Sequence, residues 1–167
     1  MNISESIRQV RDEFVRDGLA SSYYDINNGH CEDLALEAMR RTTSGKEFLL
    51  DVQAESFMDV ENELWDFALL REHWNFELPE GLTEEDLNRI SFGNHVWVAD
   101  HSQKKFYDAE CPDGVDNFFD LPLFRCYIVI YLREKGISTP EVVTEDLLPH
   151  PPCPVPNPIY SAPGPGY

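Results

Sequence analysis

Apolar residues recur at three- and four-residue spacing over residues 2 to 17, where Ile3, Ile7, Val10 and Phe14 share one face. That period predicts an amphipathic helix, with Asn2 and Glu5 as a capping box and Gly18 as its stop. The polar stretch SSYYDINNG reads as a turn into a second helix over about residues 30 to 41. Asn28 is its expected cap, Leu34, Ala35, Ala38 and Met39 its apolar face, and Arg40 and Arg41 suit its negative end. EFLLDVQ alternates at Phe48, Leu50 and Val52, as a strand does. Asp59 is the expected N-cap of a helix through ENELWDFALLREHW, and Thr83 caps a short helix in LTEEDLNRI.

HVWVAD and KFYDAE flank the polar turn HSQK in a hairpin pattern. After the loop PDGVDNFFDLP, RCYIVIYL carries β-branched and aromatic residues on both parities, as a strand covered on both faces does. From Pro149 onward there are eight prolines in nineteen residues, which predicts an extended, disordered tail. The whole pattern is α+β: one domain over residues 1–148, with N-terminal helices packed on a small antiparallel sheet, and a Pro-rich tail over 149–167.

Charge narrows the function classes. Thirty-one acidic against thirteen basic side chains give a formal charge of −18. That balance repels phosphate backbones and argues against direct nucleic-acid binding. No apolar run approaches the ~18 residues of a membrane span, and the start has no signal-peptide core. A soluble, cytoplasmic protein is therefore expected. Its four cysteines, Cys31, Cys111, Cys126 and Cys153, form no CxxC pair and are expected to be free thiols in a reducing compartment.

One constellation carries chemistry. Cys31 falls at a helix start, where free N–H groups lower a thiol pKa and can hold an oxyanion. His95 opens the first hairpin strand and Asp108 lies on the return strand. An even-numbered turn puts these two on one sheet face, directly opposite or one diagonal step apart, so Asp108 can orient the His95 ring. Trp97 shares that face and can shield the pair from water. Asn27, Asn28 and Tyr24 are the nearby candidates for the oxyanion and cleft.

GHCEDLALEAMRR resembles the G-x-C-E-D-x-A helix start of bacterial transglutaminase-like cysteine peptidases, on the papain-like fold. HVWVADHSQKKFYDAE is similar to the His-strand and Asp-strand of the same domains, and the order Cys, His, Asp fits. The resemblance spans roughly residues 20 to 132 in layout, and the chain also resembles phage and prophage proteins of this size. The resemblance implies Cys31 as nucleophile, His95 as base and Asp108 as orienting carboxylate. It implies a thiol-dependent hydrolase or acyl transferase acting on an amide or thioester carbonyl of a protein or peptide. Some relatives bind calcium through carboxylates flanking the nucleophile, whereas here His30 precedes Cys31 and only Glu32 and Asp33 follow. No metal or cofactor is expected.

Two other readings use the same residues differently. An acidic, non-catalytic interaction protein, such as a phage-encoded inhibitor or nucleic-acid mimic, would act through its charged surface. A structural zinc site would draw on Cys31, His95 and Cys111.

Overall fold

The computed structural model describes residues 1 to 137. The expected tail over 149–167, with Cys153 and the expected domain end at 148, lies outside the described residues. Helix α1 (Ile3–Arg16) starts at the capping box anticipated: Asn2 Oδ1 accepts from Glu5 N and Glu5 Oε2 from Asn2 N, each at 2.9 Å. Ile3, Ile7 and Val10 are buried. Residues read as a turn form a short helix instead, α2 (Tyr23–Gly29), capped by Ser22. Helix α3 (Cys31–Arg41) follows directly, and Leu34, Ala35 and Ala38 pack against α1. Thr42 closes this helix pair with a buried hydroxyl that reaches Ala38 O at 2.8 Å and Ser6 Oγ at 3.0 Å.

Three antiparallel strands, β1 (Leu49–Val52), β4 (Trp97–Asp100) and β5 (Lys105–Tyr107), lie in the order β1-β4-β5. Leu49, Val98 and Tyr107 face the α1/α3 layer, where helices and sheet share one core. Val52, Trp97, Ala99 and Phe106 face a second, aromatic core with Phe57, Phe118, Phe119 and Phe124. Because both faces are covered, simple alternation fails in β1. Leu49 and Val52 are buried while Leu50, expected inward, is 48 % exposed, and Phe48 ends a 3₁₀ turn.

Two further expectations are corrected. Asp59 does not cap a helix: it ends β2 (Met58–Asp59) and accepts from Glu61 N and Asn62 Nδ2 in the tight turn to β3 (Leu64–Trp65). The helix there is the shorter α4 (Phe67–His73), capped by Asp66. Thr83 does cap α5 (Glu84–Arg89), with Asp86 completing the box. RCYIVIYL is not a strand but the body of helix α6 (Pro122–Glu134). Its apolar residues serve a helical face: Phe124, Ile128, Tyr131 and Leu132 are buried in the aromatic core, and Leu123 and Val129 are buried beside them in the helix. Pro122 in the first turn pre-sets the backbone for that helix. Burial of this face outweighs the modest strand preference of its β-branched residues. The coarse α+β architecture, helices on a small antiparallel sheet, stands. No helix among the described residues is long and apolar enough to cross a membrane.

Candidate active site

Cys31 is the first residue of α3, reached through His30, whose non-helical backbone (φ −131°, ψ 20°) ends α2 and begins α3. No side chain caps this helix start; Asn28, the expected cap, sits inside α2 and donates to Tyr24 O at 3.0 Å. The apolar face of α3 anchors the helix and leaves Cys31 half-buried at the beginning of β4. There Val96 N donates to Cys31 Sγ at 3.4 Å. Burial raises the thiol pKa, but the His95 ring and the Val96 and Glu32 N–H groups outweigh it and hold Cys31 below the ordinary thiol range. Glu32 and Asp33 are exposed, so water screens the charge that opposes thiolate formation.

The hairpin brings base and carboxylate together. Val98 pairs with Tyr107 and Asp100 with Lys105 across the four-residue turn at 101 to 104. Extending that register sets Asp108 opposite Trp97, one diagonal step from His95 and on the same face. His95 Nε2 lies 3.1 Å from Asp108 Oδ2, with both side chains fully enclosed. The other carboxylate oxygen accepts from Glu110 N at 3.0 Å and Cys111 N at 2.9 Å. Every partner of Asp108 here is a nitrogen, which suits an ionised acceptor.

Burial disfavours a charged imidazole, yet Asp108 and then Cys31 more than offset it and hold His95 up to about 9. The opposed shifts of thiol and imidazole favour a thiolate–imidazolium pair. Nε2 is engaged by Asp108, so Nδ1 is the nitrogen left for the thiol. It is buried and makes no hydrogen bond of ordinary geometry. Thiol and ring thus bias each other's ionisation, the ring lowering the thiol and the thiol raising the ring. Trp97 stacks on His95 at 5.8 Å between centroids and 27° between planes, and Phe124 meets the ring edge-on at 5.9 Å.

The remaining candidates separate. Asn27 is fully buried, and its amide is occupied: Oδ1 accepts from Ala109 N at 3.3 Å and Nδ2 donates to Glu110 Oε2 at 3.1 Å. Asn27 is thus tied to the Ala109–Glu110 turn, while Asn28 is exposed and keeps a second N–H beyond its bond to Tyr24. Tyr24 is half-buried, and burial raises its hydroxyl pKa. Sequence reasoning missed the Val96 N–H, which follows His95 directly and is the nearest backbone donor to the thiol. It also missed Gly93, which lets the chain approach α6 closely: a Cβ there would lie 2.7 Å from the Tyr127 hydroxyl.

Cys31, His95 and Cys111 do not form a metal cluster; among the described residues no group of three His, Cys, Asp or Glu side chains does. The Cys111 thiol is pushed up to about 12 by burial and by Asp108. Among the described residues Cys31 and Cys111 are free thiols, as expected. Compared with protein families, curated proteins and solved structures, this chain matches none.

Proposed function

We propose that this protein is a thiol enzyme of the transglutaminase-like, papain-like type, a hydrolase or acyl transferase on amide or thioester carbonyls. The observation that carries the reading is the enclosed His95 ring, bound at Nε2 to Asp108 and lowering the pKa of the Cys31 thiol. The order Cys, His, Asp, with the thiol at a helix start and the other two just beyond the ends of adjacent antiparallel strands, supports the fold reading.

The Cys31 thiolate attacks the carbonyl carbon and forms a C–S bond, and the carbonyl electron pair moves to oxygen. Backbone N–H groups at the start of α3 hold that oxyanion. On collapse the C–N bond breaks, and the leaving amine takes the proton that His95 Nδ1 carries. A thioester on Cys31 remains. His95, now neutral, removes a proton from water or an amine as it attacks the thioester. Collapse releases the acid or the new amide and restores the thiolate. Asp108 keeps the imidazole in one orientation and stabilises its charged form throughout.

Alkylation tests this. Iodoacetamide at near-neutral pH should modify Cys31 well before Cys111, as read by peptide mass spectrometry, and His95→Ala should remove that preference. Equal rates for the two thiols would sink the reading. Cys31→Ala should abolish turnover of any substrate found and leave the melting temperature nearly unchanged.

A further inference from the structure

β5 ends at Tyr107, so the backbone that carries Asp108 leaves the strand ladder just where its position matters most. The turn from Asp108 to Cys111 closes on itself through Cys111 N to Asp108 O at 3.2 Å. Its link to the helical layer runs through Ala109, fully buried, whose two backbone polar groups are both taken by side chains of that layer, and through Glu110. Ala109 N donates to Asn27 Oδ1 at 3.3 Å, and Arg11 Nη1 donates to Ala109 O at 2.8 Å. Asn27 also donates to Glu110 Oε2, so it grips two consecutive residues. Arg11 crosses from α1 to α2 with its guanidinium 4.0 Å over the Tyr23 ring. Asn27 itself lies four residues before Cys31, and α3 follows α2 without a loop.

Helices α1 and α2, which grip the chain next to the carboxylate, therefore also pack against α3, which sets the thiol. A loss of about an ångström in such a frame is enough to misalign a nucleophile and its base. Resting on the thiol-enzyme reading above, we propose that Asn27, with Arg11, is a positioning residue that holds the Asp108–Ala109 backbone, and through it the His95 ring, in register with Cys31.

The test is the pH profile of Cys31 alkylation by iodoacetamide in the full chain, read by peptide mass spectrometry. Asn27→Ala should move the profile up by about one pH unit, an approximately tenfold slower reaction at about pH 6. Arg11→Ala should move it in the same direction, by about threefold in rate. Thr42→Ala, a buried polar loss at the far end of α3, is the control: it should lower the melting temperature and leave the profile in place. Should Asn27→Ala not fold, Arg11→Ala, whose side chain is partly exposed, carries the test. The proposal is overturned if both variants keep the wild-type profile while Asp108→Ala shifts it, or if Thr42→Ala shifts it as far. A wild-type profile in the ordinary thiol range, unmoved by Asp108→Ala, would defeat the thiol-enzyme reading itself, and this proposal with it.

Discussion

His95 and Asp108 meet at 3.1 Å with no water-accessible side-chain surface beyond 1 % on either partner. Two groups of opposite charge enclosed in this way depend strongly on each other. Breaking such a pair from one side leaves an uncompensated buried charge, at a cost of about 3–5 kcal/mol. Asp108→Ala should therefore destabilise the fold by that order in a urea titration. Asp108→Asn, which keeps the shape and removes the charge, should cost less. Both should return Cys31 to ordinary thiol reactivity, because His95 loses the partner that keeps it protonated. A Cys31 that alkylates in Asp108→Asn as it does in the wild type would show that the carboxylate does not tune the thiol.

The pH dependence of stability separates the two titrating groups. His95 is raised from its unfolded value of 6.5 to about 9. Its contribution is fully present below 6.5 and is lost as pH rises toward 9. Cys31 is lowered, so its contribution runs the other way: it is lost as pH falls through the folded value and grows toward the ordinary thiol range. Between 6.5 and 9 the two contributions oppose each other, so wild-type stability should change less with pH than the histidine alone would dictate. In Cys31→Ser only the histidine slope remains, a fall approaching about 1.4 kcal/mol per pH unit. Urea midpoints across that range in the two proteins give the comparison, and parallel curves would count against a coupled pair.

Where the sequence spoke clearly, local chemistry and tertiary demand agreed. The α1 capping box, the Thr83 cap and the hairpin all rest on residues within a few positions of one another. The parity argument for His95 and Asp108 was legible for the same reason, since an even turn fixes faces in a strand pair. α6 was illegible because Tyr127, Ile128, Val129 and Ile130 fill both parities, and only Pro122 hinted at a helix. Asn27 looked like a cleft residue because its true partners lie 82 and 83 positions away, on a turn that no local pattern announces.

Trp97 offers a test of packing against polarity. Its indole covers His95 and stacks within the aromatic core, yet Nε1 is buried with no hydrogen-bond partner. Trp97→Ala should cost about 3–5 kcal/mol through the cavity alone. Trp97→Phe leaves a smaller void and removes an unpaired donor whose burial costs about 1–3 kcal/mol. The two effects oppose each other, so the net change in chemical denaturation should stay within about 1 kcal/mol. A loss as large as that of Trp97→Ala would mean that the indole nitrogen has a partner in solution.

Gly93 and Tyr127 form the last coupled pair. The chain runs over the Tyr127 ring two residues before His95, and an added Cβ would sit 2.7 Å from the hydroxyl oxygen. The Gly93 backbone also lies close enough to that oxygen to oppose the rise in its pKa that burial causes. Gly93→Ala must therefore displace either α6 or the segment that carries His95, with a cost of about 1–3 kcal/mol. Tyr127→Phe removes the obstructing atom together with its polar contact to the Gly93 backbone, for about 1 kcal/mol. If the clash is the cause, the double variant should be more stable than the sum of the two losses, with a coupling of at least about 0.5 kcal/mol. Cys31 alkylation should slow in Gly93→Ala and recover in the double variant, because the His95 segment returns to its place. Additive losses, or alkylation that does not recover, would place the strain elsewhere than at this contact.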